Sequence, residues 1–311
     1  MITVASLLIV TALSATNAAA TSKPHLCRME NLVTFGDSYT DEGRLNYFLK
    51  YHKLPPIGQM LPPSNNTSSG GATWGRYVAN AAGATLYDYA VIGAMCTSKT
   101  DSRYVDAIQA PYPSVLEYEI LVFEQDIGFS DLYPDRRPDN TVYALWIGTN
   151  DLGLTGFLTD TQKKGTTIST FVDCIWETFD HIYKSGGRRF ILLNQVPLEH
   201  APLYADPSTG LDNHKYLENK TAYNVTEYTN KVREYTTSAN TMFDYGVPFQ
   251  LTIKTRWPGA TVSIFDVHSL MMDVLKNPGE YLDAPANVTA PYHICLDTCV
   301  DSKEPKSSFM W

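Results

Sequence analysis

The sequence contains 311 residues, of which 44% are hydrophobic and 18% charged, and it carries a formal net charge of −9. This apolar content can fill the core of one large α/β domain or of two small ones. The negative charge and the lack of Lys or Arg runs argue against a nucleic-acid or anionic-membrane surface, because the field of the protein repels phosphate. We therefore expect a globular protein that acts as a monomer and binds a neutral or cationic partner, with no nucleic acid.

The first twenty residues are typical of a secretory signal peptide. Residues 2–20 are apolar or small and end in three alanines, which predicts cleavage before Thr21. A short buried helix is the alternative, but the run lacks a cap and an amphipathic period. No later stretch approaches the ~18 apolar residues that span a bilayer. We expect a signal peptide over 1–20 and a secreted, extracellular domain over 21–311 without a transmembrane segment.

Sequons and cysteines also suit the secretory pathway. Five Asn-x-Ser/Thr sequons predict glycosylation at Asn65, Asn66, Asn219, Asn224 and Asn287. Five cysteines allow at most two disulfides, of which Cys295–Cys299 is the preferred local pair. The pairing of the others stays open, and they are Cys27, Cys96 and Cys174. Cys295 and Cys299 have no second Cys or His pair nearby with the spacing usual for zinc ligands. We therefore expect no bound metal ion.

From residue 31 onwards, short apolar runs alternate with longer amphipathic ones. Buried strands are predicted at 32–35, 85–87, 142–146, 190–193 and 262–265. Helices are predicted at 74–82, 114–123, 167–183, 223–243 and 268–275. Stretches 54–71 and 98–113 are rich in turn residues and predict surface loops. The pattern favours a single domain of class α/β, a three-layer α/β/α sandwich with a five-stranded parallel sheet of the flavodoxin-like kind.

Three polar or glycine-containing turns follow three different predicted strands. Ser38 comes after the first strand, Gly93 after the second and Asn150 after the third, where open α/β sheets place their sites. A serine hydroxyl, an unobstructed glycine N–H and an asparagine amide together suit attack on a carbonyl and stabilisation of its oxyanion. Each residue also has a common structural role: Ser38 in a turn or helix cap, Gly93 as a glycine at the start of a helix, and Asn150 in an Asx turn.

Two weaker hypotheses concern neighbouring side chains. Asp37, Asp41 and Glu42 could form an acidic metal site, although carboxylates after a strand are more often caps. Four aromatic residues near the expected cleft could stack on sugar rings or simply pack in the core, namely Trp74, Tyr87, Tyr89 and Trp146.

Residues 35–41 with Gly43, then Gly93, then residues 148–151 resemble the first three sequence blocks of GDSL/SGNH hydrolases. The resemblance spans most of the mature chain and is closest to the fungal secreted branch that includes carbohydrate acetylesterases. Tyr39 stands where the family has the leucine that names the motif, and Ile92 replaces a commonly small residue. Neither change touches an atom that the chemistry requires.

The resemblance implies acyl transfer without a cofactor. Ser38 would be the nucleophile, and the backbone N–H groups of Ser38 and Gly93 with the side-chain amide of Asn150 would form the oxyanion hole. The substrate would be an acetylated carbohydrate or another small ester. The fold implied is that of SGNH hydrolases.

The fourth block of the family is missing. Family members carry the catalytic base in a late Asp-x-x-His motif, and none of the seven histidines here has an aspartate three residues before it. The apolar end at 309–311 resembles the segment that leads into this block, so we expect the chain to stop before its C-terminal catalytic segment, with an exposed apolar terminus. Asp266 and His268 after the fifth strand are a substitute pair, although Asp266 is also a typical helix N-cap.

We therefore expect a secreted serine esterase that deacetylates carbohydrate, and that is inactive unless another group replaces the missing histidine. A lipase or lysophospholipase of the same superfamily is one alternative. The other is a non-catalytic secreted carbohydrate-binding protein that keeps the cleft without the base.

Overall fold

A computed structural model describes residues 29–205, 224–295 and 299–311. The strands of its main sheet are β1 (Asn31–Gly36), β2 (Thr85–Asp88), β5 (Thr141–Trp146), β6 (Arg189–Leu193) and β7 (Thr261–Phe265). They run parallel in the order β2, β1, β5, β6, β7. All five predicted strands are confirmed, and the order is that of flavodoxin-like folds.

Burial along the strands follows their place in the sheet. All six residues of β1, which lies between β2 and β5, are buried. In the edge strand β7, by contrast, exposed and half-buried residues alternate. A strand covered on both faces becomes continuously apolar, and this is the pattern that made β1 recognisable in the sequence.

Eight α-helices occur in the described residues. They are α1 (Arg44–Tyr51), α2 (Trp74–Ala82), α3 (Ile120–Asp126), α4 (Thr149–Leu152), α5 (Ile168–Lys184), α6 (Val225–Pro248), α7 (Val267–Lys276) and α8 (Pro278–Tyr281). The five predicted helices are found, although the one expected at 114–123 begins as a π-helical turn before α3. Helix α1 was not expected, because it begins directly after the first motif and is only eight residues long.

Two apolar clusters flank the sheet. Phe35 of β1 packs in one cluster with Phe123 of α3 and Phe179 of α5. Leu32, on the opposite face of β1, packs in the other with Ala79 of α2. Because successive side chains of a strand point to opposite faces, the sheet lies between two helical layers, as the sequence predicted.

The two predicted surface loops differ. Stretch 54–71 contains no helix or strand. Stretch 98–113, in contrast, contains the short antiparallel pair β3 (Tyr104–Val105) and β4 (Ala110–Pro111), and Thr100 and Asp101 are buried in it. The second stretch is therefore partly ordered by pairing and burial, which turn residues in the sequence did not indicate.

One disulfide is present among the described residues, between Cys96 and Cys174. It joins the chain after β2 to α5, a pairing that the sequence left open. Cys295 and Cys299 face each other at the ends of the antiparallel strands β8 (His293–Cys295) and β9 (Cys299–Asp301). Their side chains lie outside the described part, as do Cys27, Asn219 and the signal peptide, so those expectations stay predictions.

The apolar end of the chain is partly covered, and the expectation of an exposed terminus was wrong. Phe309, Met310 and Trp311 are all half-buried. Phe309 packs edge-on against Tyr292, and the Trp311 indole N–H donates to the carbonyl of Val288 at 2.8 Å. Within the described ranges, no helix combines the length and apolar character needed to cross a bilayer.

Candidate active site

The candidate site lies where β1 and β5 end side by side. Strand β2, the next along the chain, pairs with one edge of β1, whereas β5 pairs with the other edge. Open α/β sheets hold ligands in the crevice at such a switch point. A Cβ atom on Gly36, the last residue of β1, would lie 2.1 Å from the carbonyl oxygen of Trp146. Only glycine therefore allows the ends of the two strands to approach this closely.

Ser38 lies in a tight turn directly after β1. The Thr40 and Asp41 N–H groups donate to the Asp37 carbonyl at 3.0 and 2.9 Å, and the Tyr39 N–H donates to Asp37 Oδ1 at 3.1 Å. Ser38 is half-buried, and in the described part of the chain neither its N–H nor its hydroxyl makes a hydrogen bond. The turn leaves both groups of Ser38 available to a ligand.

Gly93 lies in the loop of residues 92–94, which we call the Gly93 loop. Gly93 has a φ of +82°, a conformation that favours glycine. Asp41 Oδ2 accepts the Ile92 N–H at 2.8 Å, so a carboxylate from the Ser38 turn holds this loop. The Gly93 N–H itself has no partner among the residues that the structure describes.

Asn150 lies in the first turn of α4, just after β5. Its Nδ2 donates one hydrogen to the carbonyl of Ala94 at 2.9 Å and has a second hydrogen to offer. Asn150 therefore contacts the Gly93 loop at Ala94, and Asp41 contacts it at Ile92. The three residues predicted from the sequence, Ser38, Gly93 and Asn150, thus meet at one edge of the sheet.

Buried carboxyl groups surround the Ser38 turn. Burial raises the pKa of Asp37 to about 7, and the neighbouring Asp151 carboxylate adds to the increase. Burial also raises the pKa of Asp151 to about 7 and that of Glu119 well above its usual value. One oxygen each of Asp37 and Glu119 is buried without a hydrogen-bond partner in the described chain. Asp37 and Asp151 therefore favour the protonated form as the pH falls below neutrality.

The four aromatic candidates separate into two pairs. Trp146 is half-buried and packs against Tyr39 of the Ser38 turn, with ring centroids 4.8 Å apart, and against Trp74 at 6.3 Å. Tyr87 and Tyr89, in contrast, are buried in the apolar core. Only Trp74 and Trp146 retain exposed surface near Ser38.

The substitute pair lies at the same edge but on the outermost strand. Three strand spacings of ~4.8 Å separate β7 from β1, about 14 Å in all. Asp266 caps α7, since its Oδ1 accepts the Ser269 N–H at 3.0 Å and the Asn194 amide at 2.8 Å. Partial burial would raise the pKa of Asp266, but hydrogen bonds from Ser269 and Asn194 outweigh it and leave the pKa below its usual value. A role for Asp266 and His268 in catalysis stays a prediction.

The acidic residues of the first motif have separate partners. Asp41 accepts N–H groups at the start of α1, including that of Arg44 at 2.5 Å. Glu42 forms an ion pair with Arg76 at 2.6 Å. No group of three or more potential ligands occurs among the described residues. The geometry thus gives Asp41 and Glu42 capping and pairing roles.

The predicted glycosylation sites that can be examined differ in exposure. Asn65 and Asn66 are exposed in the 54–71 loop. Asn224 is exposed, but its side chain accepts the Glu227 N–H as the cap of α6. Asn287 is half-buried.

Two residues that contact the Gly93 loop were missed in the sequence. Arg103 donates to the carbonyl of Gly93 at 2.6 Å, and the Tyr112 hydroxyl donates to that of Ile92 at 2.8 Å. Both come from the stretch that was interpreted as an irregular surface loop. No spacing in the sequence signals such contacts, because they depend on how β3 and β4 fold back.

Comparison with known proteins identifies the family of the chain. The GDSL-like lipase/acylhydrolase family matches residues 32–279, so the chain belongs to that family. It is 47% identical over 294 residues to an acetylesterase of Hypocrea jecorina, a match covering 93% of this chain and 84% of the relative. On this basis the protein is a carboxylic ester hydrolase.

More distant similarities were also found. An acetylesterase of Thermothelomyces thermophilus is 28% identical over 200 residues, covering 61% of this chain and 62% of the relative, less than two thirds of its length. A solved mutant of an acetyl-xylooligosaccharide esterase from Geobacillus shares 15% identity with a TM-score of 0.36, covering 84% of this chain and 86% of that one.

Proposed function

We propose that this protein is a serine esterase that removes acetyl groups from carbohydrate, with Ser38 as its nucleophile. The observation that carries the proposal is the set of uncommitted donors at the end of β1 and β5. The N–H groups of Ser38 and Gly93 have no partner in the described chain, and Asn150 has one amide hydrogen to spare. All three residues are half-buried, so a substrate can reach these donors, and such a cluster suits a developing oxyanion.

The chemistry follows from these groups. Ser38 Oγ attacks the ester carbonyl carbon, and the tetrahedral oxyanion accepts hydrogen bonds from the three donors. Collapse expels the alcohol and leaves an acetyl group on Ser38, which water then removes as acetate. The Ser38 proton has to pass to a base before it returns to the leaving alcohol. His268 is the substitute candidate for that base.

The acetyl and carbohydrate parts of the proposal have different support. The relatives that are similar in sequence are named acetylesterases, which supports a short acyl group. The carbohydrate acceptor is supported by the half-buried Trp74 and Trp146 beside Ser38, since aromatic rings can stack on sugars, and by the net negative charge, which a neutral sugar tolerates.

A substrate panel tests the proposed specificity. We expect acetate release from an acetylated oligosaccharide and from p-nitrophenyl acetate, with at least ~10-fold lower kcat/KM for p-nitrophenyl palmitate and lysophosphatidylcholine. Each substrate is also tested with Ser38→Ala. A preference for the long-chain substrates would contradict the proposal and establish the lipase alternative.

The missing Asp-x-x-His motif favours a second candidate, a secreted carbohydrate-binding protein without catalysis. In that case the folded protein would bind acetylated oligosaccharide in calorimetry, but neither it nor Ser38→Ala would release acetate. Release of acetate that requires Ser38 excludes this candidate.

We also propose that the protein is secreted and glycosylated, on the basis of residues 1–20 and the five sequons. After expression in a eukaryotic secretion host, the protein in the medium should begin at Thr21 and lose mass on treatment with an N-glycosidase. Retention of residues 1–20 would contradict the signal-peptide prediction.

A further inference from the structure

The Gly93 loop is held by hydrogen bonds at most of its backbone groups. The Ile92 N–H donates to Asp41, the Ile92 carbonyl accepts from Tyr112, the Gly93 carbonyl accepts from Arg103, and the Ala94 carbonyl accepts from Asn150. The Gly93 N–H is the donor of this loop that has no partner within the described residues. The loop thus has a fixed frame around one free N–H group.

Tyr112 fixes the direction of that N–H group. The Ile92 carbonyl and the Gly93 N–H belong to the same peptide unit, and in a planar trans peptide they point in opposite directions. The Tyr112 hydroxyl donates to the Ile92 carbonyl at 2.8 Å and therefore sets where the Gly93 N–H points. A hydrogen bond to the carbonyl also polarises the amide and makes its N–H a stronger donor.

The position of Tyr112 is itself well supported. The Arg103 guanidinium lies 4.3 Å from the centre of the Tyr112 ring, and the Tyr112 N–H donates to the Arg103 carbonyl at 3.0 Å. Arg103 is held in turn by an ion pair with the buried Asp101 at 2.6 Å. A Cβ atom on Gly93 would lie 2.5 Å from the Tyr112 hydroxyl oxygen. Any side chain at position 93 would therefore clash with the hydroxyl in its observed position.

We infer that Tyr112, held by Arg103, is a positioning residue for the reaction, which aims the Gly93 N–H at the oxyanion. This inference rests on the proposed function. Tyr112 need not touch the substrate, because it acts through the peptide unit that joins Ile92 and Gly93. An oxyanion donor acts mainly in the transition state, so the loss of its orientation lowers kcat and leaves KM nearly unchanged.

Tyr112→Phe removes the hydroxyl and keeps the ring that Arg103 contacts. We expect kcat for p-nitrophenyl acetate to fall ~10- to 100-fold, less than the ~100- to 1,000-fold typical when an oxyanion donor is removed, with KM within ~3-fold of the unchanged protein. Tyr104→Phe is the matched control, since Tyr104 belongs to the same hairpin and is 53% exposed. It should leave kcat unchanged.

A second measurement examines the hydrogen bond without turnover. The 15N amide resonance of Gly93 should shift in Tyr112→Phe and not in Tyr104→Phe, because the nitrogen senses the hydrogen bond to the preceding carbonyl. Equal thermal midpoints show that the variants remain folded.

The possible failures are distinguishable. Wild-type kcat in Tyr112→Phe, an effect confined to KM, or an unshifted Gly93 resonance would overturn the positioning role while leaving the esterase intact. Absence of Ser38-dependent turnover in the unsubstituted protein would instead overturn the proposed function, and the positioning role with it.

Discussion

Asp37, which precedes Ser38, carries a carboxyl group whose burial disfavours its charged form. Its carboxyl group is buried, one oxygen lacks a partner in the described chain, and its pKa is raised to about 7. A carboxyl group whose pKa is higher in the folded than in the unfolded protein binds its proton more tightly when folded. Its contribution to stability is therefore complete below about pH 4 and is lost as the pH rises through about 7.

Asp37→Asn removes this pH dependence while keeping an oxygen for the Tyr39 N–H. Between pH 5 and 7 the free energy of unfolding of the unsubstituted protein should decrease by about 2 kcal/mol more than that of the variant, at 1.36 kcal/mol per pH unit. Chemical denaturation across this range provides the measurement. Asp131→Asn, at an exposed carboxylate, is the control and should retain the original slope. Equal slopes for Asp37→Asn and the unsubstituted protein would contradict the assignment.

The sequence could group candidate site residues that come after the strands. Ser38, Gly93 and Asn150 could be grouped because the ends of parallel strands share one edge of a sheet. Asp41 was interpreted as a turn, cap or metal-site residue and not as a contact of the Gly93 loop, because its hydrogen bond with Ile92 joins positions 51 residues apart. The contacts of Tyr112 and Arg103 with the Gly93 loop were not predicted for the same reason. Contacts between loops depend on three-dimensional packing, which the local spacing of residues does not indicate.

At the scale of elements, the disulfide connects the site to the helical layer. Cys96 lies three residues after Gly93, and its N–H donates to Asp151 of α4, while Cys174 lies in α5. Both cysteines are buried. A disulfide that closes a long loop restricts the unfolded chain and thereby stabilises the folded one.

Replacing both cysteines, as Cys96→Ser with Cys174→Ser, should lower the free energy of unfolding by about 2–5 kcal/mol. Denaturant titration of the purified variant measures this change. The unsubstituted protein in the presence of a reductant that opens the bond is the control and should approach the variant. A variant as stable as the oxidised protein would contradict a stabilising role for this pair.

Element prediction succeeded where apolar runs were continuous and failed where capping decided the structure. Helix α1 is short and begins where Asp41 accepts N–H groups at its first turn, a signal that was assigned to the motif itself. The hairpin of β3 and β4 contains two residues in each strand, too few for a recognisable alternation. Short or capped elements carry too little periodicity to be identified from sequence.

At the scale of the whole molecule, the sandwich explains why distant motifs form one site. The order of the sheet places the ends of β1 and β5 together, and the loop after β2 reaches the same edge through Asp41 and Asn150. Architecture was predictable because five apolar runs alternate with amphipathic ones. The position of the catalytic base was not predictable, since none of the histidines in the sequence has the spacing of the family.

The most direct test of the account is the rate of p-nitrophenyl acetate hydrolysis by the purified protein, compared with Ser38→Ala. This ester is suited to the test because p-nitrophenolate leaves without protonation, so turnover reports attack by Ser38 even where the base is weak. We predict hydrolysis above the buffer rate that disappears in Ser38→Ala. Equal rates for the folded protein and Ser38→Ala would contradict the assignment of Ser38 as the nucleophile.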